Sequence, residues 1–264
     1  MLKHCIYKKE KVAFSDTGKG RAVVLLHGFL GSHEIWNSTI QDISRSYRVI
    51  AIDLPGHGDT PCFGYAHSMD LMARCVKAVI THLRIKKCVM IGHSMGGYVA
   101  LAFADHFPDM LSGLVLFHST SYADSEEKKR DRMRAIQAVK ADRGLYTRNT
   151  IKNLFAAKNL KYLKKEIAFA TRIAKSTSKS GIIAALHGMK DRPARDIILT
   201  MVNYPILMVI GEHDNVLPSE QLKEQVKLLN HGAELYLKHD GHFGFLESPR
   251  KSNQQLRKFL RKCA

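Results

Sequence analysis

The sequence predicts an α/β protein: a mostly parallel sheet with helices on both faces and an all-helical insert near its middle. Three observations carry this. Short continuous apolar runs such as Ala22–Leu26 and Cys88–Ile91 read as strands covered on both faces. Helical patterns alternate with them, as parallel strand pairs require. From about position 120 to 200 no strand-type run occurs, and the alternation resumes only at Pro205. At 264 residues, with 45% hydrophobic and 25% charged residues, the chain is long enough for one domain with an insertion.

Taken in order, residues 5 to 16 alternate loosely and predict one or two short strands, ending at Gly18-Lys19-Gly20. Ala22–Leu26 runs into the glycine-rich loop His27-Gly28-Phe29-Leu30-Gly31-Ser32, and a helix is expected from about His33 to Ser44. Tyr47–Leu54 is the next buried strand, closed by Pro55-Gly56-His57-Gly58-Asp59. Residues 68 to 84 form a helix with Leu71, Cys75, Ala78 and Leu83 near one face and Ser68 as N-cap. Cys88–Ile91 and a helix from Tyr98 flank Gly92-His93-Ser94-Met95-Gly96, and Leu114–Phe117 is a further strand. Within the insert, Leu163, Ile167, Ala170 and Ala174 fall on one helical stripe, with most of the nearby lysines off it. Ser176 to Gly181 separates two helices, and Pro193 is placed to begin the last one. The chain closes with a strand over Pro205–Gly211, a helix over about 218 to 229, a strand at Ala233–Lys238 and a helix from Pro249 to Lys262. The domain expectation is therefore a core made of residues 1–119 and 201–264, with 120–200 as a helical cap over the sheet's carboxyl edge.

Chemistry is concentrated in the G-x-S-x-G pattern. A serine hydroxyl is a weak nucleophile and has to be held exposed beside a base. A sharp strand-to-helix turn does this, provided glycines two residues either side remove the Cβ atoms that would collide. The helix that follows aims free amides at the site and favours negative charge there. The five-residue pattern alone arises by chance in roughly one chain in ten of this length. The strand before it and the helix after it carry the argument. A base and an orienting acid should follow at the ends of later strands, acid first. Asp214 follows the strand ending at Gly211, and His242 follows the strand ending near Lys238, so the order Ser94, Asp214, His242 is met. Glu212 and Asp240 are rival acids and His239 a rival base. His93, His27 and His57 are expected to pack or order loops, and Trp36 and Tyr98 to lie in the core.

Several segments together resemble the α/β-hydrolase fold family, in particular its carboxylesterase-like serine hydrolases, over nearly all the chain outside the insert. His27-Gly28-Phe29 is similar to the family's oxyanion loop, and Asp53-Leu54-Pro55-Gly56-His57-Gly58 to its usual segment after the next strand. Pro205, Gly211, Asp214 and Pro218 fit P-x-L-x-x-x-G-x-x-D-x-x-x-P; His242 to Pro249 fits H-x-x-x-x-E-x-P. The resemblance implies an α/β-hydrolase fold and a triad of Ser94, Asp214 and His242. It implies an oxyanion hole from the backbone N–H groups of Phe29 and Met95, and hydrolysis of esters of small to medium acyl groups without cofactor or metal. Activity is then expected to fall on the acid side as His242 protonates. Ser94 stands where dehalogenases and epoxide hydrolases of this fold carry Asp. Tyr98 stands where the 2-succinyl-6-hydroxy-2,4-cyclohexadiene-1-carboxylate synthases carry Arg. Thioester or carbon–carbon bond cleavage on an anionic substrate, or ligand binding with little turnover, are the alternatives.

Composition bounds the setting. No apolar h-region opens the chain and no run reaches the ~20 apolar residues of a membrane span, so a cytoplasmic protein is expected. Five scattered cysteines without a C-x-x-C argue for free thiols. Neither H-E-x-x-H, a dinucleotide G-x-G-x-x-G nor a phosphate loop is present. The formal charge is +17, and residues 120–200 hold 19 Lys and Arg against 8 Asp and Glu, a surplus of +11. Solvated helix faces account for this best; contact with anionic substrates or a membrane surface would be its functional use. Nucleic acid is not an expected partner, since no recognised module accompanies the charge. A small-molecule ester is the expected one.

Overall fold

The computed structural model describes residues 2–263. Among these, eight strands form one sheet: β1 (Lys3–Tyr7), β2 (Glu10–Thr17), β3 (Ala22–Leu26), β4 (Arg48–Ile52), β5 (Cys88–His93), β6 (Leu111–Phe117), β7 (Ile206–Gly211) and β8 (Gly232–Leu237). Their spatial order is β1-β2-β4-β3-β5-β6-β7-β8. The β1–β2 and β2–β4 pairs are antiparallel and the remainder parallel. The amino-terminal hairpin turns through Lys8 and Lys9, both with positive φ (47° and 73°).

The helices are α1 (Asn37–Ile43), α2 (Met69–His82), α3 (Met95–His106), α4 (Glu126–Ala141), α5 (Arg143–Asn153) and α6 (Lys164–Ser176). They continue with α7 (Lys179–Lys190), α8 (Ile197–Met201), α9 (Ser219–Val226), α10 (Gly244–Glu247) and α11 (Pro249–Lys262). Every residue of β3, β5 and β7 is buried, so the side chains that alternate between the two sheet faces are all covered. Helix α3 lies against β3, β5 and β6, and α9 against β7. Trp36 is fully buried, stacked on Phe245 at 4.4 Å. No helix among the described residues is long and apolar enough to cross a membrane.

Most element limits fall within a few residues of the sequence expectation, and Ser68 caps α2 by accepting from the Leu71 amide. Two differ. His33–Trp36 is a 3-10 turn leading into α1, because the buried Asp53 carboxylate takes the His33 amide and fixes the entry. Pro193 does not begin a helix; α8 starts at Ile197. The segment between is irregular and is held in place by its two arginines. Arg192 pairs with Asp124 at 2.6 Å, and Arg195 with Asp70 at 2.7 Å and Asp105 at 3.2 Å.

Between β6 and β7 lie α4 to α8 and one 3-10 turn. Helix α7 is set on the loop after β4 by two glycines on one helical face, about two turns apart. A Cβ on Gly181 would strike the Gly56 backbone, and one on Gly188 would strike the carbonyl of His67. His67 N–H in turn donates to the Ala184 carbonyl (2.9 Å).

Candidate active site

Because β3, β5, β6, β7 and β8 run parallel, the loops after them meet at one sheet edge. Ser94 lies between the end of β5 and the start of α3 with φ 49° and ψ −115°, a conformation that a residue with a side chain seldom adopts. Its amide donates to the Phe117 carbonyl of β6 (2.9 Å), and its carbonyl accepts from Ser119 Oγ (2.8 Å). The flanking glycines are needed by contact. A Cβ on Gly92 would meet the Gly96 carbonyl, and one on Gly96 would meet those of Leu26 and His27. Ser94 itself is 8% exposed.

The amides of Phe29 and Met95 donate to no other group among the described residues. Met95 opens α3, so its N–H is one of the free amides of a helix start. The Phe29 loop is braced from below. His27 Nδ1 donates to the Gly28 carbonyl (2.8 Å), and His27 Nε2 accepts from the Leu54 amide (3.0 Å). Asp53 binds the His33 amide (2.6 Å) and ring (3.0 Å) and the Asp59 amide (3.0 Å). Burial works against charge on His33, but the Asp53 carboxylate outweighs it and raises its pKa. His57 donates to the Pro55 carbonyl (3.1 Å) and is pushed by burial down to about 3.

The structure brings Asp214 and His242 together: His242 Nδ1 lies 2.7 Å from Asp214 Oδ2. Asp214 Oδ1 accepts the Val216 and Leu217 amides (2.8 and 3.0 Å). Burial alone would raise the Asp214 pKa; the His242 charge and hydrogen bond, with His118 and the Leu217 amide, lower it on balance. His242 is also held by its peptide. Its N–H donates to the Leu154 carbonyl (2.8 Å), and its carbonyl accepts from His93 Nε2 (2.8 Å). His93 precedes Ser94, and its ring lies 5.0 Å from that of His242, so the His242 imidazole stands near the turn. Burial drives the His93 pKa well down, which keeps it a neutral donor. No hydrogen bond joins Ser94 Oγ to His242 among the described residues.

The rivals have other duties. Asp240 is buried and accepts from Ser248 Oγ (2.8 Å), Glu212 is exposed, and the exposed His239 faces Lys158 Nζ (3.3 Å). Tyr98 is buried with the Arg192 guanidinium 3.9 Å over its ring. Two further groups bear on the site, the first of them without any signal in the sequence. His118 lies against Asp214. Glu247, seen only as a family match, ties the His242 loop to the helical segment. It accepts the Gly241 amide (2.8 Å) on one oxygen, and the Ala156 amide (3.0 Å) and Asn159 Nδ2 (2.8 Å) on the other.

A cavity of about 420 Å³ adjoins this edge, lined by Tyr98, Thr120, Lys128, Arg192, Asp214 and Val216 among others. Lys128 Nζ reaches the Val216 carbonyl at 3.4 Å.

A family model described as the alpha/beta hydrolase fold matches residues 21–249. An AB hydrolase superfamily protein, YisY of Bacillus subtilis, is 28% identical over 97% of this chain and 98% of its own length. The dihydrolipoyllysine-residue acetyltransferase component of the acetoin cleaving system of Pseudomonas putida is 28% identical over 92% of this chain. The chain spans only 64% of that protein's length. Among solved structures, a thermophilic esterase from Thermogutta terrifontis, with malate bound, superposes with a TM-score of 0.94 at 29% identity. The match covers 100% of this chain and 99% of that one.

Proposed function

The chain belongs to the alpha/beta hydrolase fold family, and from that premise we propose that it is a serine hydrolase cleaving carboxylic esters of small to medium acyl groups. One observation carries the reading: a serine on a strained strand-to-helix turn beside a histidine already bonded to a buried carboxylate at 2.7 Å. Ser94 Oγ attacks the ester carbonyl carbon as His242 Nε2 takes its proton. The resulting oxyanion is met by the uncommitted Phe29 and Met95 amides, each worth about 3–4 kcal/mol in the transition state. His242 then gives the proton to the leaving alcohol, an acyl-Ser94 ester remains, and water activated by the same imidazole releases the acid. Asp214 keeps the proton on Nδ1, so that Nε2 is the acceptor. The Ser94–His242 hydrogen bond is expected to form with substrate in place, as such contacts often tighten only in the Michaelis complex.

The helices between β6 and β7 serve in this reading as the cap that selects substrate. No cofactor takes part. Five free cysteines support action in a reducing compartment such as the cytoplasm.

A carboxylate-bearing substrate is the second reading, favoured by the malate in the Thermogutta esterase structure. Turnover of p-nitrophenyl acetate and butyrate by the native protein and by Ser94→Ala tests the main proposal. Activity should vanish in the variant, with loss of labelling by a fluorophosphonate probe. Equal rates in the two proteins would end it.

A further inference from the structure

His118 follows β6 in a left-handed conformation (φ 46°) that favours glycine, yet it is an imidazole without solvent exposure. Its ring fills a slot left by two glycines. A Cβ on Gly244 would come within 2.6 Å of His118 Nε2, and one on Gly211 within 3.0 Å of its Cε1. The Gly244 amide donates to His118 Nε2 at 3.2 Å. A nitrogen that accepts carries no proton, so the proton of the neutral ring is on Nδ1. That Nδ1 has no hydrogen-bond partner among the described residues and faces Asp214 Oδ2 at 3.7 Å. Asp214 Oδ1 is already filled by two amides and Oδ2 holds His242, which leaves the second lone pair of Oδ2 toward His118. The titratable groups around the His118 ring are Asp214 after β7, His242 after β8 (5.8 Å between rings) and His93 on β5 (6.3 Å).

We infer that His118 is a positioning residue, whose neutral Nδ1–H dipole faces the Asp214 carboxylate, favours its present orientation and offsets part of its negative charge. The inference rests on the serine-hydrolase reading. Burial drives His118 down to about 3, so it stays neutral through the working range. Without it, Asp214 would act on His242 with its full charge, the imidazolium would be favoured, and the base would be lost at a higher pH.

The test compares two variants that both lose the acceptor for Gly244 and differ in the donor. His118→Asn keeps an N–H near the Nδ1 position; His118→Phe keeps only the ring shape. His118→Phe should lower kcat for p-nitrophenyl butyrate about tenfold with KM little changed. It should also move the acid-side midpoint of kcat/KM upward by about half a unit. His118→Asn should restore kcat to within about threefold and return the midpoint. Equal behaviour of the two variants, or an unmoved midpoint in His118→Phe, would overturn the inference. Ring-labelled histidine NMR of the native protein decides independently of whether the variants fold. A neutral His118 with the proton on Nδ1 from pH 5 to 8 is required, and the opposite tautomer refutes it. Failure of the serine reading would appear instead as activity surviving in Ser94→Ala.

Discussion

At the residue scale the site depends on which nitrogen of one imidazole carries the proton. Asp214 accepts from His242 Nδ1 at 2.7 Å, and its other oxygen is occupied by two amides, so the carboxylate has little freedom to turn. Asp214→Asn keeps the shape but can present an N–H to Nδ1, which moves the imidazole proton to Nε2 and leaves no base facing Ser94. We expect kcat to fall about 10³- to 10⁴-fold with the fold retained, read by ester turnover and circular dichroism. The three positions proposed as a triad were legible in the sequence because each follows a strand inside a recognisable spacing. His118 was not. It follows β6 without any motif, and its contact with Asp214 joins residues 96 positions apart through a left-handed backbone that a sequence does not display. The uncommitted Met95 amide follows from a helix start that the sequence does show; the bracing of Phe29 by His27 and Asp53 needs the fold.

At the scale of elements, α7 shows two effects of one methyl group in competition. An alanine at Gly188 would improve helix propensity by about 1 kcal/mol. The same Cβ would run into the His67 carbonyl, which is backbone and cannot turn aside. Overpacking of this kind typically costs about 1–3 kcal/mol, so the clash should win. Gly188→Ala is expected to lower the urea midpoint, and Gly181→Ala, set against the Gly56 backbone, to act likewise. Unchanged or raised midpoints would mean that α7 is free to lift. Strand and helix positions were legible from apolar runs and the Ser68 cap. The irregular stretch around Pro193 was not, since proline permits a helix start and only the pairing of Arg192 and Arg195 with distant carboxylates decides against one.

Across the whole molecule, buried neutral histidines set the acid limit of stability. His57 and His118 are pushed by burial down to about 3 and His67 to about 4. In the unfolded chain each would titrate near the ordinary value of ~6.5. Between those values the unfolded state binds more protons, so folding weakens as pH falls below about 6.5 and goes on weakening to about 4. Each of the three contributes about 2 kcal/mol of loss at pH 5. Urea unfolding should therefore give a clearly lower free energy at pH 5 than at pH 7. A pH-independent value would show that these rings are not held uncharged. The alternation of strands and helices and the helical segment between β6 and β7 were legible from end to end, because they follow from short-range pattern. How that segment is fastened to the core was not. Leu154 takes the His242 amide, and Glu247 grips Ala156 and Asn159 while holding Gly241. Any route inward that swung residues 154–159 aside would therefore unmoor His242, the proposed base, in the same movement. Admission and bond cleavage would have to take turns, and the rate at which that gate reseats would set a ceiling on turnover.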